Sequence, residues 1–394
     1  MGSAGATQAP PVLPSARSAS SVASPEDPSA ALGDTRGGEH DEPSAEQRAL
    51  FSALFSARFA QLSEPDRSFF SDNYVSNETS YLQVAAQLAR GRPGGAYLGV
   101  GPEQNFSYIA KARPERAYIL DIRRGNALLH LLYKAIFAES PGRLTFLARL
   151  MGHDGALEAA GRKAPSAEHP EGVAQVIARL PEGRPAPDEA ARVHARLARH
   201  IEALGVKLSE ADRETLWRAH QAFIDAGLGL RFTLHEENGR SYPSLEELLS
   251  ARHQGQGSFL ETAEDYAFVK ALQDSHRVIP VVGDFAGEHA LRQIAAELRR
   301  DALPVRVFYT SNVEQYLAEP ATWARWVANL KALPTEPDSV FVRAYLDQGR
   351  RHPAQLPGHR TATLLQRFEA FHARQATRGY RSFWELVSDT DDSP

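Results

Sequence analysis

The chain of 394 residues contains no cysteine and only two methionines. The lack of cysteine excludes disulfide bridges, thiolate nucleophiles and zinc or iron–sulfur sites with cysteine ligands. No apolar run reaches the roughly 20 residues that a membrane-spanning helix needs. The net charge of −5 gives no general attraction to nucleic acid or to anionic lipid. We therefore expect a cytoplasmic protein with no nucleic-acid or membrane partner, and its oligomeric state stays open.

Several motifs of common enzyme classes are also absent from the sequence. There is no G-x-x-x-x-G-K-[ST] phosphate loop and no G-x-S-x-G nucleophile elbow. The string HEEN at 235–238 lacks the second histidine of a helical zinc motif, so we expect no metal there. The function must therefore be argued from the arrangement of strands, turns and acids.

The composition changes sharply after the first 45 residues. Residues 1–45 are rich in Ala, Ser, Pro and Gly without apolar periodicity, which predicts a disordered tail. Strands alternate with helices over 46–139 and again over 261–394, whereas 140–260 favours helices alone. We expect a Rossmann-like domain in two segments, interrupted by a helical insertion or cap at 140–260.

The strand pattern predicts the fold class. Near-continuous apolar runs that alternate with helices are typical of a parallel sheet covered on both faces. The sequence therefore predicts an α/β fold, with a Rossmann-like, mainly parallel sheet, helices on both faces and a large helical insertion. We also expect the last segment, 361–388, to be helical. The predicted strands lie at 96–100, 117–120, 277–285, 305–312 and 339–346.

The segment from the first to the second strand has the pattern of an adenosine-binding half-site. Gly99 and Gly101 allow a sharp turn and a close approach to a ligand. Asp121 ends the second strand, 20 residues after Gly101, where a carboxylate can accept hydrogen bonds from ribose hydroxyls. A purely structural strand–helix–strand unit is the alternative interpretation.

The start of the first helix departs from the dinucleotide pattern G-x-G-x-x-G, because Gln104 replaces the third glycine. Glu103 and Asn105 flank it, so an acid and two amides stand at the helix start. An acid disfavours a diphosphate and favours a ligand with a positive charge. We therefore expect S-adenosylmethionine as the cofactor rather than a nicotinamide dinucleotide.

The ends of the later strands supply further candidates, because ligands bind at the carboxyl ends of parallel strands. Asp284 can bind an adenine amino group and Phe285 can stack on the ring, although the acid can also cap the next helix. Tyr309 and Asn312 stand at the end of the fourth strand as substrate-orienting candidates.

Two short segments resemble each other, SNETSYL at 76–82 and SNVEQYL at 311–317. Both suit the N-terminus of a helix, which is the structural interpretation. In the functional interpretation Asn77 contacts the substrate, and Glu78 or Glu314 serves as a base or as the partner of a sulfonium charge.

The order of these elements resembles the class I S-adenosylmethionine-dependent methyltransferases. More narrowly, the chain resembles an uncharacterised bacterial family with that methyltransferase-like fold over about residues 70–346, on the motifs YVSNETSYL, GVGPEQNFSYI, DIRR, PVVGDFAG and FYTSNVEQYL. The resemblance implies a glycine loop at Gly99 and Gly101, a ribose-binding acid at Asp121 and an adenine-binding acid at Asp284. The sequence departs from the pattern at the fourth strand, which ends in Thr-Ser-Asn instead of Asn/Asp-Pro-Pro-Tyr.

The leading hypothesis is therefore an S-adenosylmethionine-binding protein, a methyltransferase acting on a small molecule or a protein side chain. One alternative is a non-catalytic Rossmann-like module that binds a ligand or a partner protein through the insertion. The other is an NAD(P)-dependent oxidoreductase.

Overall fold

The computed structural model describes residues 45–69, 71–154, 171–236 and 239–390, which belong to one compact unit. The predicted tail at 1–45 lies outside these residues, except for Ala45. Part of the HEEN string also lies outside them.

A six-stranded sheet forms the centre of the molecule, in the order β3-β2-β1-β4-β5-β6. The first five strands are parallel, and β6 pairs antiparallel with β5 at the edge. This is the strand order of a doubly wound fold, so the expected Rossmann-like α/β class is confirmed. The strands are β1 (Ala96–Gly99), β2 (Arg116–Asp121), β3 (Val278–Val282), β4 (Val305–Ser311), β5 (Thr335–Leu346) and β6 (Thr361–Arg367).

Fourteen α-helices surround the sheet in the described part of the chain. They are α1 (Ala45–Leu62), α2 (Ala85–Arg90), α3 (Gln104–Ala112), α4 (Arg124–Glu139), α5 (Arg143–Leu150), α6 (Val173–Ile177), α7 (Pro187–Ala203), α8 (Glu210–Ala226), α9 (Leu245–Ser250), α10 (Ala263–Asp274), α11 (Ala290–Arg300), α12 (Pro320–Ala332), α13 (Phe368–Thr377) and α14 (Phe383–Val387).

The helices cover both faces of the sheet. Right-handed crossovers place the helices before and after the reversal of strand order on opposite faces. Accordingly α3, α4 and α10 pack together, whereas α1, α11 and α12 form a separate group. Tyr97, Tyr118 and Phe308 are fully buried in the sheet between the two groups.

The segment at 140–260 contributes helices α5 to α9. Helices α7 and α8 pack against α4 and so form an outer layer on that face. A capping box begins α8: the Ser209 hydroxyl accepts from the Asp212 N–H at 3.1 Å, and the Asp212 carboxylate accepts from the Ser209 N–H at 2.8 Å.

The expectation of a continuous helix over 361–388 is wrong in its first part. Residues 361–367 form β6, paired along its whole length with β5. The strand TATLLQR is followed by α13 without an intervening turn. The sequence therefore shows no boundary between the strand and the helix. The β-branched Thr361 and Thr363, both buried, favour the strand.

No helix of the described residues is long and apolar enough to cross a membrane.

Candidate functional site

A cavity of about 660 Å³ opens at the carboxyl ends of the strands, between β1 and β4, where the strand order reverses. This position is the usual ligand site of a doubly wound sheet, and the volume suits a small ligand. The predicted residues that line it are Asn77, Glu78, Gly101, Asp121, Asp284, Phe285, Tyr309 and Asn312.

Two other segments contribute to the wall of the cavity. Arg67 and Phe69 follow α1, and the backbone N–H of Arg67 donates to the Ile122 carbonyl at 3.0 Å. Phe232 and Tyr242 come from the connection between α8 and α9. The 140–260 segment therefore reaches the cavity through this connection.

The glycine loop after β1 is fixed by side chains from below. Gly101 has a φ of +77°, which favours glycine. Its carbonyl accepts from Asn105 Nδ2 at 3.1 Å and from Asn126 Nδ2 at 3.2 Å, and it lies 2.8 Å from His130 Nε2. Burial lowers the pKa of His130 to about 4, so this histidine is neutral at pH 7. Three buried polar side chains therefore hold the loop in one conformation.

Gly99 and Asn105 lie outside the cavity and shape the loop instead. Asn105 folds under the turn, where it accepts from the Tyr97 hydroxyl at 2.8 Å and donates to the Pro102 carbonyl at 2.8 Å. A Cβ on residue 99 would overlap with the Asn105 side chain. Gly99 is thus required by packing, and neither Gly99 nor Asn105 lines the cavity.

Glu103 also lies outside the cavity lining. Its Oε1 accepts from the Ser76 N–H at 3.2 Å, and its Oε2 is buried without a hydrogen-bond partner among the described residues. Burial raises the pKa of Glu103 to about 7. The expectation that Glu103 repels a diphosphate from the ligand site therefore has no support in this geometry.

Asp121 is paired with Arg123. Its Oδ1 accepts from the Arg123 N–H at 2.9 Å, and its Oδ2 accepts from Arg123 Nη2 at 3.0 Å. Arg123 is 9 % exposed, so the acid neutralises a nearly buried cation. This ion pair gives Asp121 a structural role in addition to its place in the cavity wall. Its Oδ2 still has acceptor capacity for a ribose hydroxyl.

Asp284 combines a side-chain hydrogen bond within a turn and an ion pair, just after the end of β3. It accepts from the Ala286 N–H at 2.8 Å and from Arg67 Nη1 at 2.7 Å. Phe285 is almost fully buried and stacks on Trp326, with 5.2 Å between the ring centroids. Both residues border the cavity. The alternative that Asp284 caps the next helix is wrong, because His289 is the N-cap residue of α11.

Glu78 is the most unusual carboxylate of the site, because it is 1 % exposed and still borders the cavity. It accepts from the Tyr309 hydroxyl at 2.7 Å, from Gln104 Nε2 at 3.0 Å and from the Ser311 hydroxyl. No basic side chain of the described residues forms an ion pair with it. Burial raises the pKa of the Glu78 carboxyl.

The bond between Glu78 and Ser311 joins the two similar segments that the sequence analysis identified. Ser311 has a φ of +53° at the end of β4. Such a conformation is strained for a residue with a side chain, and it is concentrated at functional sites. The strained turn brings the Ser311 hydroxyl to the carboxylate.

The chain matches a known protein family. A family model described as a domain of unknown function, DUF7790, matches residues 73–222 and 230–393. The chain belongs to this family. No curated protein matches it. The DUF7790 match covers the strands, the glycine loop and both similar segments.

Glu314 lies apart from the other candidate site residues. It is 2 % exposed and forms an ion pair with Arg343, which is also buried. Its Oε1 accepts from Trp326 Nε1 at 3.2 Å. This placement between β4, β5 and α12 gives Glu314 a structural role and no access to the cavity.

Sequence reasoning missed Arg123, Arg67 and Tyr242. The DIRR motif contains a signal for Arg123, since a basic residue two positions after a strand-end acid can fold back onto it. The sequence offers no comparable signal for Arg67 or Tyr242, because their segments reach the cavity only through the tertiary fold.

Proposed function

We propose that the cavity binds S-adenosylmethionine and that the protein transfers its methyl group to a small molecule or a protein side chain. The position of the cavity at the reversal of strand order supports this proposal. The fixed glycine loop beside Gly101 and the acid at Asp121 support an adenosine moiety.

The observation that carries the proposal is the buried carboxylate of Glu78. Three neutral donors surround it, and no described basic side chain compensates its charge. An isolated buried carboxylate is costly unless a cation pairs with it. A ligand with a sulfonium and an ammonium group supplies that cation, and its binding returns the pKa of Glu78 toward its usual range.

The other two acids of the site, Asp121 and Asp284, do not present an uncompensated negative charge to the ligand. Arg123 neutralises Asp121, and Arg67 neutralises Asp284. Both acids therefore suit hydrogen bonding to the uncharged ribose and adenine. The charged end of the ligand belongs at Glu78, on the side of β4.

Methyl transfer makes few chemical demands on the protein. The bound cofactor supplies an activated methyl group, and the protein aligns the acceptor with it and excludes water. Gly101 and Asp121 position the adenosine, and Glu78 holds the cationic centre. Asn312 and Asn77 border the cavity in which the nucleophile of the acceptor meets the methyl group.

The proposal is tested by calorimetric titration of the full chain with S-adenosylmethionine, S-adenosylhomocysteine, NAD and NADP. We expect saturable binding of the S-adenosyl ligands and weaker or no binding of the dinucleotides. Binding of NAD or NADP alone would favour the oxidoreductase. Binding of none of the four would favour the partner-binding module.

A further inference from the structure

A second cavity of about 410 Å³ adjoins the first. The two cavities share Asn77, Arg240, Tyr242 and Leu346 in their walls. The two cavities are therefore direct neighbours.

One short segment faces both cavities. Asn77 borders both, Glu78 borders the first, and Thr79 borders the second. The segment that holds the proposed cofactor cation thus also forms a wall of the neighbouring cavity. Its volume lies in the range of pockets for small molecules.

The second cavity contains a histidine with an orienting partner. His359 Nδ1 lies 3.0 Å from the Thr79 hydroxyl, which lies 3.2 Å from the Thr361 hydroxyl. His359 Nε2 makes no hydrogen bond to any described residue. When Nδ1 carries the proton and donates to Thr79, Nε2 has a free lone pair. This arrangement is that of an oriented base in a cavity.

We propose that the second cavity binds the methyl acceptor, a small molecule with a hydroxyl or N–H nucleophile, and that His359 removes its proton. This inference rests on the proposed function. The nucleophile forms a bond to the methyl carbon, the carbon–sulfur bond breaks, and its electron pair stays on sulfur. The proton of the nucleophile moves to His359 Nε2. Thr79 is a positioning residue that fixes the ring.

The test combines a binding assay with a transfer assay on the full chain. The probe is S-adenosylmethionine with an isotope-labelled methyl group, mixed with the deproteinised small-molecule extract of the producing cells. His359→Asn and Thr79→Val are compared with Thr79→Ser. His253→Asn is the control, because His253 itself lines neither cavity.

We expect His359→Asn to lower the rate of labelled product formation by about 100-fold or more, with unchanged affinity for S-adenosylhomocysteine. Thr79→Val lowers kcat, whereas Thr79→Ser, which keeps the hydroxyl, has the kcat of the wild type. His253→Asn also resembles the wild type. Transfer that persists in His359→Asn overturns the inference. So does a wild-type protein that binds S-adenosylhomocysteine and labels no small molecule. If the wild-type protein does not bind S-adenosylhomocysteine, the proposed function itself is rejected.

Discussion

The Ser311 hydroxyl donates a hydrogen bond to the Glu78 carboxylate across 233 residues of sequence. This bond links the end of β4 to the segment before α2. Each of the two similar segments thus has a part in the site, since one supplies the carboxylate of Glu78 and the other supplies a hydroxyl that donates to it. The ligand-facing charge of the site therefore depends on contacts between distant parts of the chain.

Replacing Ser311 tests this dependence. Ser311→Ala removes one of three donors to Glu78 and should weaken S-adenosylmethionine binding by about 1.5–3 kcal/mol, the value of a hydrogen bond to a charged group. Calorimetry of the variant measures the change. Ser275→Ala on the exposed end of α10 is the control. Equal affinities in Ser311→Ala and wild type would show that the bond does not affect the ligand.

Variants of the Asp121–Arg123 ion pair allow the effect on stability to be measured separately from the effect on ligand binding. Asp121→Ala leaves a nearly buried guanidinium without its acid, and breaking such a pair costs about 3–5 kcal/mol. Chemical denaturation should show that loss. The double variant Asp121→Ala with Arg123→Leu should recover much of the stability.

The same double variant should still bind S-adenosyl ligands poorly, because the ribose acceptor is absent. Full affinity in a folded double variant would exclude Asp121 as the ribose ligand.

Glu103 predicts a pH dependence of stability. Burial raises its pKa from 4.5 to about 7 in the folded state. The folded protein therefore holds a proton that the unfolded chain releases between pH 4.5 and 7. The free energy of unfolding should fall as the pH rises through this window, by at most about 3 kcal/mol from this group.

Glu103→Gln isolates that effect from other titrating groups. The difference in unfolding free energy between the variant and the wild type should grow from pH 4.5 to 7 and then stay constant. Denaturation curves at several pH values measure it. A difference independent of pH would contradict the raised pKa.

The sequence predicted the five parallel strands and the acids at the ends of β2 and β3, because long apolar runs and strand-end residues are local signals. It did not predict β6, whose short run merges into α13. The ion pair of Glu314 with Arg343 and the bond of Glu78 with Ser311 also escaped prediction. Both depend on which strands become neighbours, and that information is not local.

A bound ligand should change amide hydrogen exchange in only one part of the 140–260 insertion. The connection between α8 and α9 borders the cavity through Phe232 and Tyr242, whereas α7 packs against α4. A bound S-adenosyl ligand should therefore slow amide exchange around Phe232 and Tyr242 and leave α7 unchanged. Identical exchange with and without ligand in both regions would favour a separate docking role for the insertion. The role of the 140–260 insertion as a cap stays a prediction until this is measured.

The most direct test of the account is the effect of Glu78→Gln on three ligands that differ in charge. S-adenosylmethionine has a sulfonium and an ammonium group, S-adenosylhomocysteine has only the ammonium group, and 5′-methylthioadenosine has neither. Glu264→Gln at an exposed site is the matched control. We predict that Glu78→Gln weakens S-adenosylmethionine binding by roughly tenfold or more and leaves 5′-methylthioadenosine binding unchanged. A loss for S-adenosylhomocysteine as well would assign Glu78 to the ammonium group. Unchanged affinity for all three ligands would contradict the central claim that Glu78 holds the cationic end of the ligand.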